Sequence, residues 1–248
     1  MTNIPSNVLG ASQRIFVPLD TPDLEKGLAI ARSLAGLVGG IKIGKEFFTA
    51  LGPQGVAKVT SDCGMPLFLD LKFHDIPNTV AGAVRSAVHM RPAIIDVHTQ
   101  GATAMMKAAA QAAEDEAAKI GIERPLVLGV TVLTSLDDRD LADIGVAANT
   151  ADHVVRLARL ARISGLDGVV CSGEEIEPLR DALGPDFKLL VPGIRPAWAA
   201  AGDQKRILTP GEAVRRGADY LVIGRAITDA ENPRDAAQRI ADEIAAVA

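Results

Sequence analysis

The chain has 248 residues, 48% hydrophobic and 23% charged, which suits one large core and is short for two ordinary enzyme domains. Its 26 Lys and Arg against 31 Asp and Glu leave a net charge of -5, so the whole molecule offers no attraction to nucleic acid or anionic lipid. Aromatic residues make up only 3%, too few for the stacking platforms of single-strand nucleic-acid binders, which leaves small anionic ligands open.

Residues 1–12 lack a basic stretch followed by an apolar run and are expected to form a flexible lead-in to a cytoplasmic protein. The first apolar run, RIFVPL from Arg14, ends in Leu19-Asp20, and Thr21 with Pro22 offers N-cap and N1 chemistry for a helix. GGIKIG from Gly39 carries Lys42, and PLFLDL from Pro66 runs into Asp70 and Lys72. AIIDVH from Ala93 closes on Asp96 and His98 and precedes an Ala-rich helical stretch, Thr103 to Ala118. LVLGVT from Leu126 leads to Thr131 and Thr134, and helical spacing returns from Ala151 to Ile163. DGVVCS from Asp167 ends at Ser172, and KLLVP from Lys188 leads into Pro192-Gly193-Ile194-Arg195-Pro196. YLVIG from Tyr220 ends in Gly224-Arg225, before a last helical stretch from Pro233 to Val247.

Each run reads as a buried parallel strand. Eight such runs alternating with helices, over a length near the ~250 residues typical of the architecture, predict a single-domain α/β (β/α)8 TIM barrel over residues 1–248. A doubly wound sheet is the alternative, but no Gly-x-Gly-x-x-Gly turn follows the first strand. No run approaches the ~20 apolar residues of a membrane span. Cys63 and Cys171 are too far apart in sequence for a metal knuckle and too few for a disulfide scaffold, so a reducing compartment is expected.

Barrel active sites form at the C-terminal ends of the strands, and there the polar residues gather. Strand alternation points Asp70 and Lys72 to one face, and Asp20, Lys42 and Asp75 bring the charged groups at the mouth to five. A charged pair within LFLDLKF is expensive to bury unless the charges neutralise each other, and a purely structural ion pair would satisfy that requirement alone. The other three charges exceed what a structural pair needs. Lysine beside two carboxylates keeps its proton and suits proton donation, whereas a Schiff-base lysine needs the opposite surroundings. Asp96 and His98 are the only close same-face pair with ligand chemistry, short of the three ligands a metal requires. Glycines and arginines after the seventh and eighth strands lie where such barrels frequently bind phosphate.

With these residues in view the chain resembles the orotidine 5'-phosphate decarboxylase family, almost end to end. The resemblance rests on DLKFHDIPNT from Asp70 to Thr79, IKIGKEFF from Ile41, GVTVLTS from Gly129, VPGIRP from Val191, GDQKRILTP from Gly202 and VIGRAIT from Val222. It implies decarboxylation of the substrate to UMP, the last step of de novo pyrimidine nucleotide synthesis, in a homodimer needing no metal or organic cofactor. Asp70 would lie against the departing carboxylate, Lys72 would protonate C6, Lys42 would orient the charge array and contact the ribose, and Asp20 would accept from a ribose hydroxyl. Asp75 and Thr79 would complete the neighbouring subunit's site. The motif residues Leu71, Phe73, His74, Ile76, Pro77 and Asn78 would line substrate, Thr134 would hold the nucleotide, and Arg195, Gln204, Gly224 and Arg225 would surround the phosphate.

The family's small residue, Ser and two glycines after the fourth-strand histidine are here Thr99-Gln100-Gly101-Ala102. A Mg2+-dependent hexulose phosphate synthase or ketogulonate phosphate decarboxylase shares the Asp-x-Lys-x-x-Asp core. Such an enzyme carries a carboxylate where Lys42 stands. A nonenzymatic nucleotide-binding barrel would need the phosphate grip but not the charged array.

Overall fold

Each of the eight apolar runs forms a parallel strand in the computed structural model, which describes residues 9–199 and 208–247. The strands are β1 (Ile15–Pro18), β2 (Gly40–Ile43), β3 (Leu67–Phe73), β4 (Ile94–His98), β5 (Leu126–Val130), β6 (Gly168–Val170), β7 (Lys188–Pro192) and β8 (Tyr220–Val222). Sequential neighbours pair in parallel and β1 also pairs with β8, so the sheet closes into a barrel with helices outside it.

Strand alternation divides the core in two. Outward residues such as Ile15, Val17, Ile41, Leu69 and Ile95 pack against the helices. Inward residues Phe16, Phe68, Ile94, Leu128, Leu190, Tyr220 and Val222 fill the barrel itself, capped by Leu9 from below. Phe16 meets Phe68 and Tyr220 edge to face, with centroids 6.2 and 5.8 Å apart. Gly40 makes room for this cluster: a Cβ there would lie 2.5 Å from the Phe16 ring. The next inward position on β2, β3 and β4 is Lys42, Asp70 and Asp96 respectively, so period-two geometry stacks a charged layer directly on an apolar floor.

Two local expectations meet the structure differently. Of the lead-in expected over residues 1–12, residues 1–8 lie outside the described residues, while Leu9 is buried under the barrel. The first helix, Leu24–Leu34, is capped by Asp23 and not by Thr21. The Asp23 carboxylate accepts from the Lys26 N–H, and the Thr21 hydroxyl is occupied two residues earlier, accepting from the Asp23 N–H. The helix Ala102–Ile120 covers the expected Ala-rich stretch, and Thr150–Ile163 and Pro233–Ala245 stand where helices were read.

Candidate active site

The charged layer is a chain of alternating sign. Lys42 Nζ lies 3.4 Å from Asp20 and 3.1 Å from Oδ2 of Asp70, whose Oδ1 accepts a hydrogen bond from the Lys72 ammonium. Lys42 is almost fully buried, and Gly44 gives it space, since a Cβ there would lie 3.0 Å from the ammonium. Asp20 stands at the exposed end of the chain. Lys42, Asp70 and Lys72 line one wall of a cavity whose floor includes Phe68, Leu190 and Val222 and whose rim carries Thr134.

Burial and neighbouring charges set the direction in which each group shifts. Burial pushes the Asp70 carboxyl upward, but Lys42, Asp96 and Lys72 outweigh it and hold the group at about 2. Burial opposes the Lys72 ammonium, yet Asp96 and Asp70 keep its pKa above the ordinary lysine value. Asp96 is the counterexample: full burial and the neighbouring Asp70 charge drive it well above the usual carboxylate range. The wall thus presents Asp70, held as an anion, between two lysines, with the fully buried Asp96 carboxyl behind them. One buried and one half-buried cation beside one anion make a field suited to negative charge that develops in the cavity.

Lys72 itself is strained. Its φ of 51° lies in the left-handed region, a conformation costing a non-glycine residue about 1–2 kcal/mol. The cause is a register break: Leu69 faces Ile95 and Phe73 faces Val97, so four steps along β3 match two along β4. The Lys72 N–H donates instead to Oδ1 of Asp96, at 2.8 Å.

Sequence similarity places this geometry in a family. The profile of the orotidine 5'-phosphate decarboxylase / HUMPS family matches residues 13–240. The chain is 54% identical to orotidine 5'-phosphate decarboxylase of Paramagnetospirillum magneticum, over 93% of this chain and 97% of that one. It is 48% identical to the enzyme of the same name from Moorella thermoacetica, over 94% and 93%. The chain belongs to the orotidine 5'-phosphate decarboxylase / HUMPS family. Its fold superimposes on the crystal structure of orotidine 5'-phosphate decarboxylase from Lactobacillus acidophilus with a TM-score of 0.82 at 33% identity, covering 93% of this chain and 98% of that chain.

Within this family member the structure sorts the residues read from sequence. Asp20, Lys42, Asp70 and Lys72 come together, and Thr134 joins them across the cavity. Leu71 and Phe73 pack on the outer core, so their side chains support the strand and do not line the cavity. Asp75 is exposed in its own chain, its carboxylate accepting from the Ile76 N–H at 2.6 Å, while among the described residues the ion pairs of Lys72 are with Asp70 and Asp96. Ile76, Pro77, Asn78 and Thr79 are likewise exposed. His74 stacks on His98, centroids 5.2 Å apart, and burial together with His74, Lys72 and Lys45 lowers His98 to about 4.

The residues expected at the phosphate end follow paired strands: Pro192 of β7 is in register with Val222 of β8, both line the cavity, and Arg195 and Gly224-Arg225 come next along the chain. Arg195 is buried and Arg225 exposed. Gln204 lies outside the described residues. Thr99, where the family pattern is departed from, is fully buried with its hydroxyl donating to the Val130 carbonyl at 2.8 Å, and Gln100 is exposed. Among the described residues no three His, Cys, Asp or Glu side chains converge as a metal site, and no helix is long and apolar enough to cross a membrane. Sequence reading gave no role to Gly44 and saw Asp96 only as a weak ligand candidate.

Proposed function

We propose that this protein decarboxylates orotidine 5'-phosphate to UMP and CO2 using the charges of its own side chains. The observation that carries the reading is the Lys42–Asp70–Lys72 array, pressed against a cavity in a chain 54% identical to an orotidine 5'-phosphate decarboxylase. Breaking the bond from C6 to the carboxylate leaves an electron pair in the ring plane, where the π system cannot take it up. The Lys72 ammonium stabilises that pair and then transfers its proton to C6; Lys72 is reprotonated from solvent. Asp70 holds Lys72 in place and fixes its charge, and it faces the carboxylate that departs as neutral CO2. Preorganised charge of this kind costs no rearrangement during the reaction.

In this reading Lys42 and Asp20 meet the ribose, Thr134 holds the nucleotide, and Arg195, Gln204, Gly224 and Arg225 surround the phosphate. The partner subunit's Asp75 and Thr79 complete the site of a homodimer. Support comes from the exposure of Asp75 in its own chain and from Ile76 beside it, a large apolar side chain 67% exposed and suited to a protein neighbour. A reducing cytoplasm fits Cys63 and Cys171, which are both free.

The Mg2+-dependent readings are disfavoured by Lys42, a cation 3.1 Å from Asp70 where those enzymes need another carboxylate. The deciding experiment follows the ultraviolet absorbance of orotidine 5'-phosphate after addition of pure protein with EDTA present. Conversion to UMP is expected. An unchanged spectrum rejects the reading, and activity that EDTA abolishes and Mg2+ restores returns the metal-dependent alternative.

A further inference from the structure

The proposed chemistry needs Lys72 at one place and in one protonation state, and the strand that carries it is irregular at that residue. Lys72 has no partner residue in the β3–β4 register and takes a left-handed backbone conformation. A side chain from β4 spans the irregularity. Asp96 points into the barrel above Ile94, is fully buried, and accepts the Lys72 N–H on Oδ1 at 2.8 Å. Its Oδ2 lies 4.0 Å from the Lys72 ammonium.

We propose that Asp96 is a positioning residue for the decarboxylation: its buried carboxyl accepts the Lys72 N–H and so fixes the strained backbone from which the lysine ammonium reaches Asp70. The inference rests on the functional reading above and goes beyond it, since Asp96 touches no reacting atom. Three features support it. The contact is to the backbone, so it sets where the Lys72 side chain begins regardless of what the ammonium binds. The charges facing Asp96 are Asp70 and Lys72 on β3, with Lys42 beyond Asp70 on β2, while its register partner on β5 is the apolar Leu128. In that setting burial and the Asp70 charge raise the Asp96 pKa, as described above. In either protonation state Oδ1 remains an acceptor for the Lys72 N–H.

Asparagine at this position preserves an Oδ1 acceptor with no charge, whereas alanine removes the acceptor. The test measures orotidine 5'-phosphate turnover and UMP affinity for the wild type, Asp96→Ala and Asp96→Asn, with circular dichroism melting of each. Asp96→Ala is expected to lower kcat by about 30-fold or more while KM and the UMP Kd stay within about threefold, the pattern of a lost transition-state arrangement. Asp96→Asn is expected to recover kcat to within about fivefold of wild type. The inference is overturned if Asp96→Ala keeps kcat within about threefold, if asparagine is as damaging as alanine, or if only KM and the UMP Kd rise. Should the alanine variant not fold, Asp96→Val, which fills the strand position without an acceptor, is judged by the same criteria. Wild-type protein with no turnover overturns the functional reading and this inference together; active wild type with an equally active Asp96→Ala overturns this inference alone.

Discussion

Asp70 shares its two carboxylate oxygens between two lysines, Oδ2 lying 3.1 Å from the Lys42 ammonium and Oδ1 accepting from Lys72. Lys42 is therefore a determinant of Asp70 ionisation as well as a proposed contact for substrate. In Lys42→Met the largest charge opposing burial is gone, so the Asp70 pKa rises from about 2. The acid limb of kcat/KM is expected to move to higher pH, with kcat/KM at pH 7 lower by more than about tenfold, near 1.4 kcal/mol. The sign follows from linkage. A carboxylate depressed by its partners contributes stability above its unfolded pKa of ~3.9 and loses it as pH falls toward the folded value, so the variant gives up part of that contribution. A pH–rate profile with an unmoved acid limb contradicts this role.

Lys72→Ala is expected to abolish turnover while UMP binding stays largely intact, because the proposed task of this side chain belongs to the transition state. Single-turnover assays and calorimetric titration with UMP check the two halves separately. Residual activity within about tenfold of wild type is too much for a lost proton donor and rejects the assignment.

Arg225→Ala is expected to weaken UMP and orotidine 5'-phosphate binding by roughly 1.5–3 kcal/mol, the range of charge-assisted hydrogen bonds. Unphosphorylated orotidine should be affected far less. Equal losses on nucleotide and nucleoside show that Arg225 does not read the phosphate.

The proposed shared site is tested by mixing subunits in equal amounts. Lys72→Ala and Asp75→Asn proteins, each expected to be inactive alone, are combined under conditions that exchange protomers. In a heterodimer with shared sites, one site carries both lesions and the other carries neither. At statistical exchange about half the dimers are mixed, so about one quarter of wild-type activity should return by the two-fold symmetry of the assembly. Demonstrated exchange without recovery places Asp75 in the service of its own chain.

The strands, their order and the pairing of Asp70 with Lys72 were legible because they depend on local features: short apolar runs, turn residues and the period of two. The place of Asp96 was not. Its partner lies 24 residues away, and their contact depends on how many residues β3 accommodates between Leu69 and Phe73 against β4, a register that no local pattern encodes. Thr99 shows the same limit: its departure from the family pattern is visible in sequence, but its bond to the Val130 carbonyl of the next strand is a tertiary fact. The outward packing of Leu71 and Phe73 follows directly from alternation, yet membership of a functional motif drew both toward the substrate.

The pairing of β1 with β8 sets the schedule on which the molecule can be made. Ile15 hydrogen-bonds within a sheet whose closing strand begins at Tyr220, so a nascent chain emerging from the ribosome carries β1 for most of its synthesis without its second neighbour. At roughly 5–20 residues per second that interval lasts on the order of 10–40 s. Until β8 arrives, β1 and β7 are open edges that invite pairing with other chains, and Phe16 lacks Tyr220 to cover it. Loss of the last strand by premature termination thus removes more than three residues of sheet: it converts a structure with no edges into one with two.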